Sequence, residues 1–452
     1  MNRCLQEAAC MPRESSTARP EEIVLLPSPE DWVTDLSPAT SKEAIQARTQ
    51  LGLPADQPII ASGHQPILFH PGIVAKLIAM DAWSKRTGAA MVWVVPDQDV
   101  VDPALVRLPK SDDGSLSVQE SRIGGDPNTN TPTALLSSIA IHDELPEVLE
   151  EIGSWVTGFE YETSLAKQFA SASIGLLCEK LGIDEPNLVY ASDLMALDAA
   201  QSLLDVMIED PTLAAESYNA SVAEFPEAGV RPLRIKDTSI ELPLWRFEGS
   251  KRVPVSIQPD QQDFDRSNLV PRGLMMTAIM RAFVSDFFIH GTGGYSYDRI
   301  TERWIQEWQG IPLSPIAGVS ATMKLSLHAN TAIDPDEAAW RAHHAKHSPA
   351  MLGDQEAENK KVELVAQIEQ SKKADDSAKT AALFRELHEL LDETNAKHAK
   401  QLDELEEASK NAQRSRAEFE IANDRTWGFP LYTDSQLGSL KEEIERALGV
   451  QD

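Results

Sequence analysis

Cysteine is scarce in this chain. Cys4, Cys10 and Cys178 are the only three in 452 residues, and they form neither a C-x-x-C pair nor an even framework. That excludes a disulfide scaffold and points to a reduced, cytoplasmic setting. Long apolar runs are also missing. None approaches the roughly 20 residues that a bilayer-spanning helix needs, so no membrane segment is expected. Met1 to Pro20 is polar and has no apolar core segment, so it reads as a loose tail and not as a secretory leader. Bases are outnumbered, 41 Lys and Arg against 71 Asp and Glu, which gives a formal net charge of −30. Such a balance argues against a nucleic-acid coat protein, whose affinity rests on neutralising phosphates. The acidity serves solubility and still leaves room for a local basic pocket. No Walker A Gly-Lys-Ser/Thr, no G-x-S-x-G elbow and no legible Ser-His-Asp order occur. Cys178 ends an apolar Gly175-Leu176-Leu177 run and is expected to be a small buried hydrophobe, not a nucleophile.

What is present is concentrated in Ser62-Gly63-His64-Gln65-Pro66-Ile67-Leu68-Phe69-His70-Pro71-Gly72. An apolar Pro58-Ile59-Ile60-Ala61 precedes it and reads as a short buried strand. Ile73, Val74, Leu77 and Ile78 follow at helical spacing, with Lys76, Asp81 and Lys85 facing elsewhere. The stretch is thus a strand-to-helix crossover, the place where an open α/β sheet presents a ligand site. Backbone amides at a helix start attract anions, and glycine lets a ligand come close.

The expected fold is α/β: a Rossmann-like parallel sheet core with inserted connecting elements and a long antiparallel helical hairpin, a coiled coil. Residues 1–20 are a disordered tail and 21–110 the first part of the core, with a short helix Ser41–Leu51 ended by Gly52. Met91–Val95 is a second buried strand, continuously apolar and β-branched. Residues 111–267 form an inserted mixed region, with a loop or inserted element at 111–135, helices over 144–183, a core strand near 187–191 and an antiparallel element at 231–257. Residues 268–333 complete the core. There a helix Pro271–Phe283 feeds a strand Phe287–Ile289, a glycine turn opens a helix bearing Ile300, Trp304, Ile305 and Trp308, and a last strand begins at Ile311. Residues 334–425 change character: from 355 to 422 there is neither proline nor glycine, which is long-helix composition. Val362, Val365, Ile368, Leu383, Leu387, Leu390, Leu402 and Leu405 fall near three-four spacing, broken only at Asp375-Asp376-Ser377. So thin a seam gains from a partner helix, hence an expected homodimer. Residues 426–452 return to the body through Trp427-Gly428-Phe429-Pro430 and end in a helix, Ser435–Leu448.

Chemistry-bearing residues sit at the predicted strand ends: His64, Gln65 and His70 after the first, Asp97 and Asp99 after the second, and His290 after the fourth. In an open parallel sheet these ends lie along one edge. Gly291-Thr292-Gly293-Gly294 follows a strand and opens a helix, the context of a phosphate cradle, although the full G-x-G-x-x-G is absent. Tyr297 is placed to stack on a base or to pack on the sheet. Asp298 suits the positive end of its helix. Arg272 and Arg281 either reach an anionic substrate or are surface charges, and Lys76, on the first crossover helix, either points inward to help an anion or lies on a solvated face. His64 and His70 are six apart, not the four of helical metal ligands.

In order and architecture the chain resembles the bacillithiol biosynthesis cysteine-adding enzyme family. Ser62–Phe69 is similar to that family's T-G-Q-Q-x-x-L-F turn, and Val92–Asp99 to its strand ending in Glu-Asp-His-Asp. Asn268–Arg272 through Phe288–Gly294 is similar to its helix, strand and glycine turn, and Ser320-Ala321-Thr322 to a short family element. The resemblance implies a class I synthetase-like core, a dimerising coiled coil, and a carbon–nitrogen ligase activity that joins cysteine to glucosaminyl-malate, with a nucleotide such as ATP or ADP supplying activation. It assigns His64 and Gln65 to the phosphate or the activated carboxylate, Asp97 and Asp99 to an amine or hydroxyl, and Gly63, His70, His290, Gly291, Thr292, Gly293, Gly294, Tyr297 and Arg272 to substrate or nucleotide. No resident metal is implied. The departures fall on the same positions: His64, His70-Pro71, Pro96, Gln98 and His290-Gly291-Thr292 replace family residues, so the substrate is open to change. Two other readings stand beside this one. The first is a nucleotidyl-transferring or metal-dependent enzyme using His64, His70 and His290. The second is a non-catalytic interaction protein whose working part is the helical hairpin.

Overall fold

The computed structural model describes residues 20–112, 115–126, 130–258, 261, 263–327 and 333–450. The expected N-terminal tail, with Cys4 and Cys10, lies outside the described residues. Strands run in the order β1 (Glu22–Leu26), β2 (Ile59–Gly63), β3 (Ala90–Val95), β4 (Leu105–Asp112), β5 (Ser115–Arg122), β6 (Asn187–Tyr190), β7 (Ile235–Lys236), β8 (Ser239–Glu248), β9 (Lys251–Ile257), β10 (Leu269–Pro271), β11 (Phe287–His290) and β12 (Ile316–Thr322). Six of them form one sheet, β1-β12-β11-β2-β3-β6. Five run parallel, and β1 closes one edge antiparallel. From β2 the chain builds outward through β3 to β6, then returns to the other side of β2 for β11 and β12. Strand order therefore reverses between β2 and β11.

The buried apolar runs seen in the sequence become the sheet's centre because both of its faces are covered. Ile59 and Ala61 of β2 and Val92 and Val94 of β3 pack into one apolar cluster with Leu203, Leu204, Met275, Ile279, Ile300 and Trp304. These come from the helices Asp198–Glu209, Gly273–Ile279 and Thr292–Gln309. The alternate residues Ile60, Met91 and Trp93 point to the opposite face, where the helix Pro71–Thr87 lies with Val74, Leu77 and Ile78 fully buried. Each such side chain contributes about 1.5–3 kcal/mol when removed from water. A second, antiparallel sheet of β7, β8, β9 and β10 adds Ile240, Leu242 and Leu244 to the same cluster.

The chain divides into two compact units. One comprises the residues up to Leu108, Gln119–Leu325 and the chain from Arg425 onward; the other comprises Pro109–Val118 and Ser326–Asp424. In the second unit the helices Gln355–Lys373 and Ser377–Lys397 lie side by side on Leu364, Ile368 and Leu383. Asp375, at φ 55°, makes the turn between them, and Ser371 and Thr380 are hydrogen-bonded across it at 2.9 Å. The helix Pro335–Ala345 meets Ala399–Arg414 around Ala345, Leu352 and Leu402. The unit therefore contains two packed helix pairs where one hairpin is expected.

Of the two readings of the region from 111, loop or inserted element, the structure has an element there: β4 and β5 pair as a two-stranded sheet. Two local expectations are corrected. Pro271 is a strand residue paired with Leu244, so its helix begins only at Gly273, and it closes in a π turn at Met280–Val284. The last core strand begins at Ile316 and not Ile311, because Pro312 and Pro315 have no N–H to give a ladder. Among the described residues no helix is long and apolar enough to cross a membrane.

Candidate functional site

The crossover after β2 is built by close backbone approach. A Cβ added at Gly63 would lie 2.2 Å from the Val94 carbonyl oxygen, so only glycine fits there. His70 caps the following helix: its Nδ1 accepts from the Gly72 N–H at 3.1 Å, and Pro71 fills the first helical position. Phe69 is buried 5.4 Å from the Trp93 ring, and its carbonyl accepts the Phe429 N–H at 2.7 Å. His64 is half-buried, edge-on to Phe69 at 6.0 Å. Burial first, then the charge of Lys76, pushes its imidazole down to about 3, so it is neutral at pH 7. Lys76 points back from the helix to the turn. It is 5% exposed, donates to the Gly63 carbonyl and lies 5.2 Å over the Trp93 ring. Burial alone brings its ammonium down to about 7.

At the end of β3 the two acids have different surroundings. Asp97 is buried and accepts from the Ser192 N–H at 2.8 Å and the Ser192 hydroxyl at 2.6 Å. It thereby ties β3 to the turn after β6. Burial raises its carboxyl to about 6 despite those bonds. Asp99 faces the crossover: Gln65 Nε2 donates to it at 2.9 Å, and Arg252 of β9 pairs with it. Between them Gln98 is buried, with its side-chain oxygen lacking a hydrogen-bond partner. Arg252 also stacks on Trp245, whose ring carries Arg272 as well, at 4.0 Å. Arg272 itself pairs with buried Glu241 at 2.7 Å and donates to the Leu244 carbonyl, so its charge is spent inside the antiparallel sheet.

Beside β2, the end of β11 supplies His290, and the strands are locked by the Ser62 hydroxyl donating to the Ile289 carbonyl at 2.7 Å. His290 is buried, 3.0 Å from Asp298, which Arg281 holds at 2.5 Å. Burial alone would raise the Asp298 carboxyl, but His290 and Arg281 more than reverse that and hold it well below the usual range. Arg281, open in the sequence to a surface role, is fully buried and also reaches Glu302 and the Ser314 carbonyl. Gly294 lets His290 pack against the helix start, since a Cβ there would sit 2.8 Å from its Nδ1. After Gly291 the first helical bond is Tyr295 N to Gly291 O, and no side chain caps the turn. The amides of Thr292, Gly293 and Gly294 thus head an 18-residue helix, a geometry that favours an anion.

Gln65, Asp99, Tyr297 and His290 form a connected edge. The Tyr297 ring is 6.2 Å from His290, and its hydroxyl is raised to about 12 by burial and by the charges of Asp298 and Asp99. The edge lies where strand order reverses, with one helix start on each side. Asp97 and Arg272 are committed to internal partners, and His70 to its cap. Arg252 is the functional candidate that sequence spacing misses, since it reaches Asp99 from a separate sheet. Among the described residues no three His, Cys, Asp or Glu side chains gather into a group that could hold a metal ion, and His64, His70 and His290 do not make such a set. No known family model matches the sequence, and no curated protein is significantly similar to it.

Proposed function

We propose that the chain is a carbon–nitrogen ligase-like enzyme with a Rossmann-like core, of the kind the cysteine-adding family represents, and that it binds a nucleotide such as ATP or ADP at the strand-order reversal. One observation carries the reading. Two helix starts flank β2 and β11, and between them converge the polar side chains of Gln65, Asp99, Tyr297 and His290. Open sheets of this order bind ligands at that point. In this reading the Thr292–Gly294 amides receive one phosphate, and neutral His64 with Gln65 contacts a second phosphate or the carboxylate being activated. Asp99, fixed by Gln65 and Arg252, holds the incoming amine. Donors aimed at a developing oxyanion are usually the largest catalytic term. Deleting the gene and profiling low-molecular-weight thiols tests the substrate: loss of one thiol species is expected, and an unchanged profile overturns the assignment. The second unit supports a coiled-coil homodimer, because Val362 and Val365 leave apolar surface exposed on the helix Gln355–Lys373. Light scattering of the full chain reads twice the monomer mass if that holds.

A further inference from the structure

Among the described residues Lys76 is the strongly basic side chain enclosed at the crossover, and no acid among them is paired with it. Its Nζ has a carbonyl, Gly63 O, and an aromatic face, Trp93, as partners. Among the described residues the titratable group set against it is His64, itself a base. On its own helix Asp81 is turned to Lys85 and to the Asp184 N–H. The β12 residues against the start of that helix, Ser320 and Ala321, carry no charge. Elsewhere in the same unit buried cations are neutralised: Arg48 by Asp286, Arg281 by Asp298 and Arg272 by Glu241. A buried cation without a counter-charge is costly, and the cost is relieved when an anion arrives or the proton leaves.

We infer that the missing counter-charge is the ligand's: Lys76 is a binding residue for a phosphoryl oxyanion seated at the turn beside His64, and it takes up a proton as that oxyanion enters. The inference rests on the nucleotide reading above and goes beyond it by naming the residue and the proton. With its pKa at about 7, Lys76 is mostly an amine above that pH. An adjacent phosphoryl group stabilises the ammonium form, and the proton comes from the solvent. No bond within the ligand is made or broken.

The test is calorimetric titration of the full chain with ADP at pH 8.5, where the terminal phosphate is fully ionised, in two buffers of different ionisation enthalpy. The expected result is uptake of about one proton per ADP and an affinity about tenfold weaker at pH 9.5 than at pH 8.5. Adenosine, which lacks the phosphoryl groups, is expected to bind at least tenfold more weakly and without uptake. Lys76→Met is expected to bind ADP at least tenfold more weakly at pH 7 and with no proton linkage. ADP binding with no uptake in the wild-type chain overturns the role of Lys76 while the nucleotide reading stands. Adenosine binding as tightly as ADP overturns the oxyanion. Failure of ADP to bind at any pH overturns the nucleotide reading, and this inference with it. The wild-type buffer series needs no variant to fold.

Discussion

Replacing Lys76 by methionine should make the protein more stable. The ammonium is buried under Trp93 with one hydrogen bond and no acid. Its pKa stands at about 7 in the folded chain against an ordinary 10.5. At about 1.36 kcal/mol per pH unit, that difference means about 5 kcal/mol against folding wherever the lysine is protonated in both states. The sign follows from linkage: a lysine whose folded pKa is depressed costs most below about pH 7, and the cost fades as pH rises toward 10.5. Methionine has nearly the same length, fills the space and keeps a favourable contact with the indole. It forfeits the hydrogen bond to Gly63, about 1 kcal/mol, and the cation's attraction to the ring, about 1 kcal/mol more. The net expectation is a gain of about 3 kcal/mol at pH 6, shrinking steadily and turning into a small loss above pH 10.5. Denaturant unfolding followed by tryptophan fluorescence at pH 6, 8 and 10 measures it. A Lys76→Met chain less stable than wild type at pH 6 would refute the reasoning, because the ammonium would then be a net support for the fold.

Gly63→Ala should cost about 3 kcal/mol or more, since its Cβ would meet the Val94 carbonyl oxygen at 2.2 Å, a backbone atom that cannot rotate away; overpacking usually costs about 1–3 kcal/mol even where side chains can yield. A shift in unfolding midpoint equivalent to less than about 1 kcal/mol would contradict that contact. Asp298→Asn should destabilise by about 3–5 kcal/mol by leaving Arg281 buried with its charge only partly met, read from the same denaturant curves. Asp97, at about 6 against an ordinary 3.8, makes its contribution below about pH 4 and loses it as pH rises through 6, about 3 kcal/mol in all. Asp97→Asn keeps an acceptor for Ser192, so the stability difference between wild type and variant should fall by that amount between pH 4 and pH 7; a difference that does not change with pH would show the carboxyl titrates normally.

The parts of the fold legible in the sequence were those with a strong local signal. Ile59-Ile60-Ala61 and Met91–Val95 are continuous apolar runs, which only doubly covered strands need, and His70-Pro71 with Gly88 at φ +71° brackets a helix at both ends. The β4–β5 hairpin was not, because it is largely exposed and its Lys, Ser, Asp and Glu residues carry no apolar alternation strong enough to mark a strand; β1, Glu22–Leu26, carries four apolar residues in a row and was passed over all the same. At the site, glycines and histidines at strand ends stood out. Their partners did not: Arg281 and Asp298 are seventeen positions apart and meet only after β11 intervenes, and Arg252 reaches Asp99 from a separate sheet. Lys76 had a usable sign. From Gly72 to Trp83 every residue is buried, and a helix apolar on all sides must enclose whatever charge it carries. That sign favours the inward reading of Lys76 over the solvated face.

The short hydrogen bond from Phe429 to Phe69 sets an order on biosynthesis. Phe69 belongs to the crossover that shapes the candidate site, yet its carbonyl is satisfied by a residue 360 positions later, on the far side of the helical insertion. During translation, β2 and its helix emerge long before Phe429 exists. Local helices can form early, but a contact this distant has to wait for its partner. The crossover therefore reaches its final form only after the whole insertion has been made, and a ribosome that stalls within the helices releases a chain whose site has never been closed.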